Sequence, residues 1–275
     1  MTRLEFRNVS KIFPKHGRGA KRRKGGDGPG DSVVRAVENV SLTVEDAEVV
    51  SLIGPSGCGK STLLNIASGL NPPSGGEVFV DGEKVVEPNA HVAFMLQKDL
   101  LLPWRSICEN VEFGLQIQRV GAGERRRKAM SWLERCHLAE FADHYPHQLS
   151  GGMRQRAALA RTLVTDPSVL LLDEPFSALD AQTRIILQQD LAETLASTRK
   201  TALFITHDLV EAAALSDRVL VMGPRPGTII EEIIIDLPDK NNPMVRRQDE
   251  RIGTVIAQLM SLLQVGKFEL EAVSG

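Results

Sequence analysis

The chain has 275 residues, of which 42% are hydrophobic and 25% charged, and its net charge is -2. That length fills one large domain, or a core with a smaller lobe, and the near-neutral balance excludes an obvious polyanion binder. No apolar run approaches the roughly 20 residues of a membrane helix, so work at a membrane would need another chain to do the spanning.

The opening residues, MTRLEFRNVSKIF, carry no apolar stretch of the signal-peptide kind, so no signal peptide is expected. Residues 4–13 alternate loosely, as a half-buried strand does. Residues 14–31 hold six glycines and six Lys/Arg without apolar periodicity and read as a mobile loop. Their KRRK run has the charge to meet nucleic acid or anionic lipid, but short basic runs are weak evidence and the solvated loop is the stronger reading. VVRAVENVSLTV returns to strand character. EVVSLIG is short, apolar and β-branched, the type of strand buried on both faces of a parallel sheet. It runs into the glycine-rich GPSGCGKST and then a helix, STLLNIASGL. GGEVFVDGEKV reads as a hairpin turning at Asp81-Gly82.

From about Gln97 to Leu149 the pattern becomes helical and more charged, which suggests an inserted helical lobe. After Ser150 come a helix, the buried strand SVLLLDEP, the helix TRIILQQDLAETLAS, the strand TALFITHD, the helix LVEAAALSD and the strand RVLVMG. Strands alternating with helices predict an α/β fold with a parallel sheet covered on its faces. Ile252, Val255, Ile256, Leu259, Leu262 and Leu263 form an apolar stripe expected to pack on the chain's own domain. Cys58, Cys108 and Cys136 are spaced for neither a disulfide framework nor a zinc site, which fits a reducing cytoplasm.

Four stretches carry chemistry. Gly54, Pro55, Ser56, Gly57, Cys58, Gly59, Lys60, Ser61 and Thr62 satisfy the phosphate-loop pattern G-x4-G-K-[ST] between a buried strand and a helix. The glycines let backbone N–H groups surround phosphate oxygens, and the helix start adds its positive dipole end. Lys60 brings a charge to the β/γ oxygens, Ser61 a hydroxyl for Mg²⁺, and Thr62 reaches the α-phosphate. Cys58 reads as a small loop residue rather than a reactive thiol.

VLLLDEP ends a strand in two carboxylates, and successive side chains leave a strand on opposite sides. Asp173 therefore suits a Mg²⁺ shell, and Glu174 an attacking water, as base or orienter. His207 ends a third strand. A lone histidine there is commonly structural, yet ligands of open parallel sheets gather at the carboxyl ends of strands. That places His207 within reach of a γ-phosphate or the attacking water. Gln97, at the start of the helical lobe, offers a neutral amide to Mg²⁺ or water. In LSGGMRQR, Ser150 is a good N-cap and Gly151 and Gly152 permit close backbone approach. Periodicity alone leaves open whether this is an anion site or a plain capped helix.

Taken in order, Phe13, GPSGCGKST, Gln97, LSGGMRQR, LLLDEP, SALD at residues 177–180 and His207 give the chain a strong resemblance to the ATPase subunits of ABC transporters, up to about residue 235. The resemblance implies a P-loop NTPase core with a parallel sheet, an N-terminal antiparallel β subdomain and an inserted α-helical subdomain. It divides the chain into an ATPase domain at 1–236, with the helical part at about 98–160 and an insertion at 14–31, and a helical tail at 237–275.

It further implies that Phe13 stacks on adenine. The phosphate loop binds ATP, with Ser61, Asp173 and, through water, Gln97 around Mg²⁺. Glu174 is the catalytic base, Lys60 serves the phosphates, and His207 holds the γ-phosphate and water. Two subunits, identical or not, meet head to tail, so that Ser150, Gly151 and Gly152 close on the ATP of the other subunit and Asp180 contacts the partner. Permease subunits hold such a chain at the cytoplasmic face of the cell membrane, and a periplasmic or surface solute-binding protein works with them; no nucleic acid is expected.

Met153 stands where most of the family has Gln. With LLPWRSICENVEFGL and GPRPGTI it resembles importers of the nitrate, sulfonate/taurine and bicarbonate group. In those, Leu101, Leu102 and Trp104 of LLPW would be exposed toward the permease; a local core is the alternative. The chain departs from the family in the length of the 14–31 segment and in carrying Phe at position 13 where Tyr is commoner. The rivals are an ATPase of a DNA-repair complex, a translation factor, and an exporter or cell-division ATPase. The short, heptad-free run between Gly54 and Ser150 argues against the first. The single ATPase copy argues against the second, and LLPW with Met153 leans against the third.

Overall fold

A computed structural model of the chain describes residues 2–14 and 33–263. The predicted loop at 14–31 lies outside them except for Pro14. Two sheets and a helical layer make the fold. The first sheet joins β1 (Thr2–Pro14), β2 (Val33–Glu45), β4 (Gly75–Val80) and β5 (Glu83–Lys84) in the order β2-β1-β4-β5, all antiparallel. The β4–β5 hairpin turns at Asp81 and Gly82, both at positive φ, as a tight two-residue turn requires.

The second sheet has the order β10-β9-β3-β8-β7-β6. Its members β6 (Val92–Met95), β7 (Val169–Asp173), β8 (Thr201–Ile205), β3 (Val49–Ile53) and β9 (Arg218–Met222) are parallel. The edge strand β10 (Ile229–Ile234) runs antiparallel to β9. The sequence reading did not include β6 or β10.

β7 and β8 are buried at every residue, so both faces must be covered, and side-chain alternation assigns each face its layer. Leu170, Leu172, Ala202 and Phe204 join a core with α2 (Ile107–Ile117), α3 (Ala122–Arg135), α4 (Gly151–Leu163) and α5 (Ala181–Thr198). Val169, Leu171, Leu203 and Ile205 face the other way. There they pack with Leu4, Phe6 and Val9 of the antiparallel sheet and with Leu63 and Leu64 of α1 (Lys60–Ala67), which is thus held between the two sheets.

A third cluster joins Ile53, Val219 and Val221 to α6 (Leu209–Leu215) and α8 (Ile252–Leu262), with the six-residue α7 (Pro243–Gln248) between these helices in the chain. Leu259 is fully buried in it, and Ile252, Val255, Leu262 and Leu263 pack around it, so the tail stripe does pack on its own domain.

The expectation of an exposed LLPW needs correction at Leu101; Leu102 is half-buried. Leu101 is buried in the helical core, because Leu102 N–H donates to buried Asn110 and Leu101 N–H to Asp99, which turns the 101 side chain inward. Leu100, at φ 43, faces solvent in its place, and Trp104, 72% exposed, does so as expected.

Candidate functional site

The carboxyl ends of β3, β7 and β8 converge on a cleft of about 390 Å³. The phosphate loop leaves β3 at Gly54 and enters α1 at Lys60. Gly59, at φ 111, makes that turn; a Cβ there would stand 2.5 Å from a Val37 methyl and 2.8 Å from the Ala36 carbonyl. Lys60 folds back so that Nζ donates to the carbonyls of Gly54 and Pro55 at 2.8 and 3.0 Å. Gly54, Ser56, Gly57, Gly59, Lys60, Ser61 and Thr62 line the cleft, and Phe13 and Val34 from the first sheet close one side. Cys58 does not line it: its side chain is buried under the loop, 3.8 Å from Lys60 Nζ, which fits the small-residue reading.

Asp173 ends β7 and is 6% exposed. Burial pushes its carboxyl above the ordinary range and Glu174 adds to that, while the Ser61 hydroxyl and Lys60 oppose it. The next residue, Glu174, turns the other way at φ 50, with its N–H donating to the Ile205 carbonyl of β8 at 3.0 Å. A non-glycine residue in the left-handed region is uncommon, and here it aims a carboxylate into the cleft. Glu174 Oε2 accepts from Gln97 Nε2 at 3.0 Å and lies 3.6 Å from His207 Nδ1. Three distant segments thus bring Gln97, Glu174 and His207 together at the cleft wall.

The structure does not bring Ser150, Gly151, Gly152 or Asp180 into this cleft. Ser150 and Gly151 are exposed, and the Ser150 hydroxyl caps α4 by accepting from Met153 N–H at 3.3 Å. Asp180 caps α5, accepting from Thr183 N–H at 3.0 Å, and that bond holds its carboxyl below the usual range. Gly151, Arg154 and Ala178 instead border a separate shallow groove with Gln97 and Asp99.

Two residues escaped the sequence reading. Arg225 lines the cleft and donates from Nε and Nη2 to the Gly57 carbonyl at 3.1 and 2.9 Å. Next to it, Gly227 exchanges hydrogen bonds with the 36–38 backbone, and a Cβ there would meet the Cys58 carbonyl at 2.0 Å. A Gly-Pro-Arg-Pro-Gly run was the only available signal, and it marks a turn without saying what the turn touches. The second residue is Glu211, 4% exposed just behind His207.

The donor set Ser61, Asp173 and Gln97 is hydroxyl, carboxylate and amide, the hard oxygen chemistry that suits Mg²⁺. Among the described residues no group of three His, Cys, Asp or Glu could form a metal cage of its own.

The family described as ABC transporter matches residues 37–177. An uncharacterized ABC transporter ATP-binding protein of Methanocaldococcus jannaschii is 44% identical over 235 residues, covering 86% of this chain and 83% of that one. A taurine import ATP-binding protein of Burkholderia pseudomallei is 46% identical over 201 residues, covering 73% and 77%. A dimeric structure of an ATP-binding cassette in a post-hydrolysis state, bound to ADP and Pi, superposes with a TM-score of 0.73 at 32% identity, covering 84% and 98%.

Proposed function

Because this chain belongs to the ABC transporter family and is an ATPase, we propose that it energises an importer of a small anionic solute, of the nitrate, sulfonate/taurine or bicarbonate type. In this reading two ATPase chains, identical or not, close head to tail on two ATP molecules. Permease subunits hold them at the cytoplasmic face of the membrane and turn closing and parting into alternating access, and a solute-binding protein delivers the cargo. Among the described residues no helix is long and apolar enough to cross a membrane, which suits a chain that depends on permease partners.

The observation that carries the catalytic part is the meeting of Gln97, Glu174 and His207 beside the phosphate loop. Phe13 stacks on the adenine, Lys60 and the loop N–H groups hold the phosphates, and Thr62 supports the α-phosphate. Ser61, Asp173 and, through water, the Gln97 carbonyl oxygen would hold Mg²⁺, which when bound neutralises phosphate charge. A glutamine amide serves both sides: its NH₂ donates to Glu174 while its oxygen takes the cation side. Glu174 accepts the proton of the attacking water, and His207 orients that water and the γ-phosphate. Ser150 and Gly151, exposed, and Gly152 beside them, all away from the chain's own cleft, serve the neighbour's ATP, and Asp180 contacts the neighbour.

Two measurements test this. Glu174→Gln should bind ATP as the parent does and hydrolyse it about 10²-fold more slowly or worse; near-normal turnover would remove Glu174 as the base. For the cargo, cells lacking the chain should lose uptake of labelled taurine, nitrate or bicarbonate. Unchanged uptake of all three removes the importer subgroup and leaves the ATPase reading standing.

A further inference from the structure

Behind the wall formed by Glu174 and His207 lies a second, much smaller cavity, of about 20 Å³. That is room for a single water molecule, and the lining is polar enough to hold one. Glu174, Ser177, Thr206, His207, Asp208 and Glu211 border it. Glu211 sits in the first turn of α6, where Asp208 caps the helix by accepting from Val210 and Glu211 N–H at 2.9 and 3.1 Å. Its carboxyl is 4% exposed, and its Oε1 is buried without a hydrogen-bond partner among the described residues. A buried polar atom left unpaired is costly, and such atoms call for an explanation.

We propose that Glu211 is a positioning residue for ATP hydrolysis: in its protonated form it donates, through one water in this cavity, to the Glu174–His207 pair and fixes the orientation of that pair. The inference rests on Glu174 and His207 being the hydrolytic residues. No proton is transferred in this role; Glu211 keeps its proton throughout a turnover and acts only as a hydrogen-bond donor.

The surroundings keep that proton in place. Burial, reinforced by the Asp208 carboxylate, pushes the Glu211 carboxyl up to about 8, against the opposing pull of Thr206, Arg184 and Arg247. The charged and titratable groups around it come from several elements. Asp208 caps its own helix, His207 lies on the loop after β8, Glu174 follows β7, Arg184 is on α5 and Arg247 on α7. Below about pH 8 the carboxyl is neutral and can donate. Above it the donor is lost and a further negative charge appears beside Asp208 and Glu174. Turnover should therefore fall as pH rises, without a matching loss of ATP affinity.

The test is steady-state ATPase of the full chain from pH 6 to 10, with kcat and KM separated. The parent should show an alkaline limb in kcat with a midpoint near 8. Glu211→Gln, nearly isosteric and permanently neutral, should keep kcat within about 3-fold at pH 7 and lose that limb. Glu211→Ala should lower kcat on the order of 10-fold at unchanged KM, a loss of orientation rather than of binding.

The inference is overturned if the parent has no such limb, which needs no variant to fold. It is equally overturned if the Gln variant keeps the limb or the Ala variant keeps the parental kcat. Glu174→Gln measured alongside separates the failures. If it turns over normally, the reading of the hydrolytic site falls. If it stalls while Glu211→Gln retains the limb, only the role of Glu211 falls.

Discussion

Arg225 reaches Gly57 across 168 positions of sequence, and its two donated bonds fall on a carbonyl of the phosphate loop. A carbonyl held by two bonds fixes its peptide plane and so braces the loop that is to surround the phosphates. Arg225→Ala should raise the KM for ATP about 5- to 10-fold while changing kcat less than 2-fold, roughly the effect of losing one charged hydrogen bond. An ATP titration of the ATPase rate checks this, and an unchanged KM would show the bracing to be dispensable.

The contrast between Arg225 and Lys60 explains what could be read in advance. Lys60 belongs to a local pattern in which spacing alone sets the geometry. Arg225 and Glu211 act only through contacts that folding creates. Leu101 shows the same limit from the other side: an apolar residue in an irregular segment has no period from which to infer its direction, and here the Asp99 and Asn110 bonds decide it.

At the scale of elements, α4 does more than present Ser150. Three of its arginines fasten neighbouring segments. Arg154 donates to Asp99 at 3.0 Å and to the Leu149 carbonyl at 2.8 Å. Arg161 donates to the carbonyls of Leu100 and Asp99 at 2.8 and 2.6 Å. Arg156 holds the Cys136 and His137 carbonyls after α3. The segment that follows Gln97 is thereby bolted to the helix that begins at Ser150. Arg154→Ala should leave ATP binding near parental and reduce kcat roughly 5- to 10-fold, since a loosened Gln97 no longer holds Glu174 in place. Equal binding with parental turnover would show that the bolt is not used in catalysis.

The helix itself was legible from its cap and alanine-rich run. The destinations of its arginines were not, because a guanidinium on a helix surface has the same spacing whether it meets water or a loop. The short elements β6, β10 and α7 were missed for a related reason: four to six residues carry too little period to separate strand, turn and helix.

For the whole molecule, the separation of Ser150 from the chain's own cleft is the feature with most bearing on assembly. Ser150→Arg should leave ATP binding to the isolated chain within about 2-fold of the parent yet stop hydrolysis, because a large cation would stand against the neighbour's phosphates. Binding by nucleotide fluorescence and turnover by phosphate release read the two separately, and normal hydrolysis would mean that the cleft is complete within one chain.

The bolt on α4 acquires a different meaning in a head-to-tail pair. In the proposed pairing each chain's Gln97 would sense its own nucleotide, while the helix start tied to it would touch the nucleotide of the other chain. The message from one ATP would then leave its own subunit and be delivered across the interface, and the return message would travel by the same route in reverse. Linkage makes such an exchange reciprocal, so that each nucleotide alters the affinity for its counterpart by an equal factor. Two pockets joined in this manner would behave as one two-input device, and severing Asp99 from Arg154 would weaken the conversation between them, leaving the Arg161 tie to carry it.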